Sequence, residues 1–292
     1  MTSNNSNNIL SSHPLPKDKE EIISLWQTTF QDSDEFVNLF FSRVYKPENT
    51  LIIKSGDKII SALQMIPYKI KVADNIIPSA YVCGVCTLTT ERGKGLMKML
   101  MHEAIDNMRQ KGYAITTLIP AHPWLFDIYK KFGYTHPINY NLESYSCEIN
   151  SSNYTFTTYT DKYFSYFDRK QRERQCAVLH DTYDMENIIR DLKNDNGNAW
   201  IALHGNNPVG VAFGSPVSEK EVVIKEILYD NAQIKDALIH HILNTYNAEN
   251  AKIRIHNTDL SENKKTHPYG LACILNKQIT DIKDLCMTLM LD

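Results

Sequence analysis

Hydrophobic positions first recur at helical spacing over 20–30, where Ile22, Ile23, Trp26 and Phe30 fall on one face. Ser33 or Asp34 caps a second helix whose apolar stripe is Phe36, Leu39, Phe40 and Val44. The period then shortens. Residues 50–54, a turn at Gly56-Asp57, and 58–68 read as a hairpin, with further strands over 69–72 and 80–89. A long helix is predicted over 96–109, with Leu96, Met99, Leu100 and Ala104 inward and Gly112 as its stop. A short buried strand over 113–119 and a short helix over 124–131, ended by Gly133, follow.

The second half repeats this order more loosely: a helix over 185–193, a hairpin of 199–204 and 209–214, a strand over 222–228, a helix over 232–246, and a strand over 252–255. Hairpin, strand, helix, strand therefore occurs twice. The expectation is two α/β units, 1–150 and 151–292, consistent with a length prior of about 150 residues per domain.

Composition narrows the function classes. Of the residues, 42% are hydrophobic and 22% charged, and the net charge of −3 is spread along the chain. That argues against nucleic acid as a partner, which calls for a clustered basic patch. No run approaches the ~20 apolar residues of a membrane-spanning helix, and the Asn/Ser-rich start lacks the apolar core of a signal peptide. The six cysteines are scattered. A cytoplasmic protein with reduced thiols and no membrane partner is expected. Homo-oligomerisation is left open.

The turn Glu91-Arg92-Gly93-Lys94-Gly95-Leu96 joins a strand to the long helix. Its glycines permit unusual backbone angles and close approach of a ligand. The helix start offers unpaired N–H groups and a positive dipole end, and Arg92, Lys94 and Lys98 add positive charge. Such a turn suits a pyrophosphate, or it is a tight turn with solvated basic residues. A nucleoside triphosphate P-loop and a dinucleotide fingerprint both fit badly, because Lys94 is followed by Gly95 and Lys98 stands where the third glycine would fall. Cys83-Gly84-Val85-Cys86 is formally a Cys-x-x-Cys. On an extended strand the two thiols face opposite ways, and no second Cys/His pair has zinc spacing, so no metal is expected.

The segment 82–112 together with Tyr129-Lys130-Lys131-Phe132-Gly133-Tyr134 resembles the GNAT superfamily of acetyl-coenzyme A-dependent N-acetyltransferases. The family signature is Arg/Gln-x-x-Gly-x-Gly/Ala. Arg92 and Gly95 match its first and fourth positions, and Met97 departs from the small sixth. A second signature, a tyrosine four residues before a Gly-aromatic pair, is matched by Tyr129, Gly133 and Tyr134. The resemblance covers about 17–145. It implies acetyl-CoA as co-substrate, held at Arg92, Gly93, Lys94, Gly95, Leu96 and Met97, with the pantetheine arm paired to the strand edge Val85, Cys86 and Thr87.

The two-unit layout is also similar to the enhanced intracellular survival type of acetyltransferase. That implies tandem GNAT-like units, each a mixed, mostly antiparallel twisted sheet flanked by helices. The second would be degenerate: at the place of Arg92–Gly95 stands Tyr229-Asp230-Asn231-Ala232, without glycine or cation. It further implies that the C-terminal carboxylate, here Asp292, reaches the active site.

Transfer to an amine needs a neutral nucleophile, although a free alkylammonium has a pKa near 10.4. It also needs a proton for the departing thiolate. The resemblance makes Tyr129 the acid. The base is open between Glu35, Glu143, the carboxylates of Asp292 and a water chain, with His122 as a proton shuttle. The expected reaction is direct acetyl transfer to a primary amine on a small molecule or peptide. A non-catalytic acyl-CoA sensor and a transferase of longer acyl groups are the alternatives. His240-His241 reads as a surface or interface pair.

Overall fold

In the computed structural model, residues 10–146, 153–256, 266–279 and 282–291 are described. Two compact units emerge. One runs to Pro67, from Pro78 to Thr135 and from Ala272 to Ile279; the other takes Tyr68–Ile77, His136–Leu271 and the final segment.

The first unit holds strands β1 (Ser11–Ser12), β2 (Thr50–Ser55), β3 (Lys58–Val72), β4 (Asn75–Thr87) and β5 (Ile115–Leu118), in the order β1-β2-β3-β4-β5. Both β1/β2 and β2/β3 are antiparallel. By contrast β4 and β5 are parallel, from Ser79 opposite Ile115 to Val82 opposite Leu118. Where two strands were expected over 58–72, β3 is continuous. The chain reverses after it at Ala73, with φ of 51°, and no glycine marked that turn in the sequence. The tips of β3 and β4 (Tyr68–Ile77) count with the second unit.

Helices α1 (Lys19–Phe30), α2 (Asp34–Leu39), α3 (Leu96–Gln110) and α4 (Leu125–Lys130) cover this sheet. Ser33 caps α2, its hydroxyl accepting from the Phe36 amide at 3.2 Å, an interaction typically worth about 1 kcal/mol. The buried stripe of α3 is Leu96, Leu100, Met101, Ala104, Ile105 and Met108. Met99, expected inward, lies off that stripe and is 38% exposed.

The second unit has the strand order β6-β12-β11-β10-β9-β7, where β6 is His136–Ser146, β7 Thr155–Thr158, β9 Asn198–His204, β10 Asn207–Ser218, β11 Glu221–Tyr229 and β12 Asn250–His256. Strand β8 (Cys176–Leu179) pairs with Lys69–Val72 of β3. Strand β13 (His267–Ile274) carries the chain back to the first unit. The parallel pair recurs as β11/β12, from Glu221 opposite Asn250 to Ile224 opposite Ile253. Helices α5 (Phe164–Arg172), α6 (Thr182–Asn194) and α7 (Ala232–Tyr246) complete the unit. The face of α7 bearing Leu238, Ile239, Ile242 and Leu243 packs on Trp200, Ala212, Ile224 and Ile253, each large side chain contributing about 1.5–3 kcal/mol by burial.

The apolar run at the chain's end docks in this unit, with Leu285 through Leu291 buried. Among the described residues it forms no continuous strand: Cys286 alone bridges Ala177, and Leu289 at φ 55° breaks the extension. Its hold is polar as well: His180 Nε2 donates to the Thr288 carbonyl at 2.8 Å, and the Thr288 hydroxyl donates to Glu226 at 2.8 Å. The His240-His241 pair is not a surface feature. His240 is buried edge-on against Tyr145, and His241 is half-buried and stacked on Phe156 at 4.3 Å.

Candidate active site

Beyond Val82 and Leu118, β4 and β5 stop pairing. The device that parts them is Gly84, which takes φ of 58°. A glycine in that conformation inside a strand marks a bulge. A Cβ there would lie 2.1 Å from the Trp26 ring, so the indole fills the volume a side chain would need. Gly84→Ala is therefore expected to lower stability by about 2–4 kcal/mol, combining overpacking with left-handed strain. A denaturation midpoint unchanged from the wild type would show that the bulge tolerates a side chain.

A cleft of about 610 Å³ opens where the strands part. One wall is the β4 edge at Val85, Cys86 and Thr87, and another is the α3 start with Arg92, Gly93, Gly95, Leu96, Met97 and Lys98. The opposite wall comes from α4 and the loop before it: His122, Trp124, Leu125, Ile128 and Phe132. Thr29 and Phe30, at the end of α1, also line it. Sequence reasoning did not place Thr29, Phe30, Trp124 or the α4 apolar face in the site. Trp124 carried a signal, being an indole just after a strand, and it stands 61% exposed and stacked with His122 at 6.2 Å.

The turn fits a phosphate ligand. Gly93 and Gly95 take φ of 79° and 81°. Around the position a Cβ would occupy on either, nothing lies within 4 Å. Gly95 is the N-cap of α3 and offers no side chain to its amides, so those donors are left for a ligand. Arg92 Nε donates to the Thr87 carbonyl at 3.2 Å, which holds its guanidinium over the turn. Lys94 is turned instead to Glu91, at 2.8 Å, and does not line the cleft. Lys98, one turn along α3, does.

At the inner end, Cys86 is fully buried. Burial pushes its thiol up to about 12, against smaller lowering effects of its bond to the Ala62 carbonyl and of Arg92. A raised thiol is a poorer nucleophile at neutral pH. Tyr129, on α4, is 6% exposed and is not itself among the cleft-lining side chains. Burial pushes its hydroxyl above the usual phenol range, and the nearness of Cys83 adds to this. Cys83 directly follows the last β4/β5 pair, so Tyr129 sits by the apex of the cleft. Among the described residues its hydroxyl has no hydrogen-bond partner. Its ring packs edge-on against Tyr134 at 6.2 Å, whose hydroxyl bonds Thr116 at 3.1 Å.

The candidate bases are not gathered here. Glu35 is exposed on α2, and Glu143 is tied to Lys235 at 2.9 Å in the second unit. Asp292 lies outside the described residues. Among the described residues no cluster of three or more His, Cys, Asp or Glu could hold a metal, and no helix is long and apolar enough to cross a membrane.

Residues 14–136 match the sequence model of a family described as "Acetyltransferase (GNAT) domain". No curated protein matches the sequence. Among solved structures, the fold is similar to a GCN5-related N-acetyltransferase from Anabaena variabilis, with a TM-score of 0.74 and 14% identity over 92% of this chain and 73% of that one. A probable N-acyltransferase from Enterococcus faecalis gives 0.73 and 14%, over 91% and 72%. Eis1 from Mycobacterium abscessus gives 0.66 and 10%, over 91% and 73%. At these identities the likeness is one of fold.

Proposed function

We propose that the protein, whose residues 14–136 match the model of a GNAT acetyltransferase domain, moves an acetyl group from acetyl-CoA to a primary amine by direct attack, using the cleft of the first unit alone. The observation that carries this reading is the uncapped start of α3 at the mouth of the parted β4/β5 pair. It combines a phosphate cradle with a free strand edge in one cleft.

In this reading the α3 amides from Gly95 onward, with Arg92 and Lys98, hold the pyrophosphate. Lys94, paired with Glu91, contributes charge at longer range. The β4 edge at Val85, Cys86 and Thr87 aligns the pantetheine arm. Bound acetyl-CoA supplies an activated thioester. Much of the acceleration comes from holding it in line with the amine, which can supply about 7–11 kcal/mol. The amine attacks as the free base, Tyr129 gives its proton to the departing sulfur, and the proton then shed by the acylated nitrogen returns through solvent to the phenol. Partial desolvation in the cleft raises the basicity of a thiolate, which supports a phenol as its proton donor. The same effect favours direct attack over an acyl-cysteine route.

The second unit lacks the cradle. The N-cap of α7 is Asn231, whose side chain accepts from the Ile234 amide at 3.1 Å. Beside it Asp230 is drawn to Lys170 and Arg169 at 3.6 and 3.5 Å. A self-capped helix beside a carboxylate offers a phosphate fewer donors and a repelling charge. We assign this unit a supporting role.

The test is release of free coenzyme A thiol from acetyl-CoA across a panel of small amines and peptides. Amine-dependent release is expected. Tight coenzyme A binding with no release across the panel would favour a sensor, and faster release from longer acyl donors would favour a different acyl group.

A further inference from the structure

The second unit keeps the strand parting that forms the cleft of the first. Past Ile224 and Ile253, β11 and β12 no longer pair. Strand β11 is also irregular there: against β10, Phe213 faces Glu226 while Gly214 faces Ile224, so Lys225 is bulged out. In place of a large cleft, a pocket of about 80 Å³ lies between the strand ends. Its charged lining is Glu143, Arg174, Glu226, Lys235, Arg254 and His256.

Most of these charges are matched. Arg174 grips Glu226 through both guanidinium nitrogens, at 2.7 and 2.9 Å. Burial raises the carboxyl of Glu226, but Arg174 and the Thr288 hydroxyl outweigh it and leave its pKa below the ordinary value. Lys235 holds Glu143 at 2.9 Å. Arg254 is the exception. Among the described residues it makes no ion pair. It lies instead beside the edge-to-face pair of Tyr140 and Tyr269, 5.3 and 5.5 Å from their centroids. Aromatic rings attract a guanidinium without accepting bonds along its plane, which leaves its N–H edge available to an anion.

His256 supplies a second, independent sign. It is 4% exposed, and neither ring nitrogen has a hydrogen-bond partner. Burial holds it neutral, with its pKa lowered to about 4. Three cations against two carboxylates leave the lining one positive charge in excess. A water occupies about 30 Å³ of liquid, so the pocket has room for two or three waters or one small ion.

We propose that this pocket binds a small carboxylate monoanion of formate or acetate size, held by the Arg254 guanidinium edge and a His256 ring N–H. The charge count selects a monoanion, since a dianion would leave an uncompensated buried charge. The arrangement replaces a coenzyme cleft by a small-anion site at the same topological position, and it is independent of what the first unit does.

The experiment titrates the full chain with ¹³C-acetate at constant ionic strength, following acetate by saturation-transfer NMR and the ring carbons of the ten histidines. A saturable acetate signal with a shift of one buried histidine is expected, unaffected by coenzyme A. Arg254→Gln should weaken acetate about 10–100-fold. The wild-type histidine readout serves if that variant does not fold. No saturable signal in the wild type would overturn the proposal. So would a signal retained in Arg254→Gln, or one displaced by coenzyme A, which would assign the ion to the first unit.

Discussion

Tyr129→Phe is expected to lower turnover about 10²–10⁴-fold while leaving coenzyme affinity and the melting temperature close to those of the wild type. The ring is buried against Tyr134, and Phe keeps that packing. The hydroxyl has no hydrogen-bond partner among the described residues, so removing it orphans no other group and costs little stability. What is lost is a phenol proton near the cleft's apex that burial keeps on its oxygen across the neutral range. Steady-state kinetics with the best amine of the panel, alongside a thermal melt, checks this. A folded Phe variant with near-normal turnover would reduce Tyr129 to a packing residue.

The second large effect is expected at the α3 cap. Gly95→Val places a β-branched side chain at φ of 81°, a conformation that costs such residues dearly. The space beside Gly95 is open, so no packing is broken. The strain is relieved by rotating the turn, which carries the α3 amides out of line. A weakening of coenzyme A binding by about 10²-fold or more is expected, since charge-assisted bonds to several amides are worth about 1.5–3 kcal/mol each. Arg92→Glu adds repulsion without backbone strain and should act in the same direction. Competition against a fluorescent coenzyme A analogue measures both. Unchanged affinity in a folded Gly95→Val chain would remove this turn from the site.

Much of the fold was legible because its signals are local. The stripe of α3 follows from helical spacing, and α7 was read with its limits correct because polar Asn231 and Asn247 bracket an apolar run. The reversal at Ala73-Asp74 carried no glycine, and its positive-φ residue is an alanine. Strand β6 alternates only partly, because its neighbour β12 comes more than a hundred residues later and supplies the burial. The run ending at Leu291 has the composition of a strand, yet its backbone is turned by tertiary hydrogen bonds that no local pattern encodes.

The candidate phosphate turn was visible as glycines between cations ahead of a helix. That Lys94 would be spent on Glu91 while Lys98 lines the cleft depends on helix phase and on a three-residue ion pair. Gly84 stood in plain view within Cys83-Gly84-Val85-Cys86. Its significance is set by Trp26, nearly sixty residues earlier, whose ring occupies the only space a side chain could take.

The central claim, that the first unit alone holds the coenzyme, is tested most directly by calorimetric titration of the full chain with coenzyme A. One equivalent per chain is the expected result, since α3 has an open cap and α7 has its own. No binding, or two equivalents per chain, would contradict it.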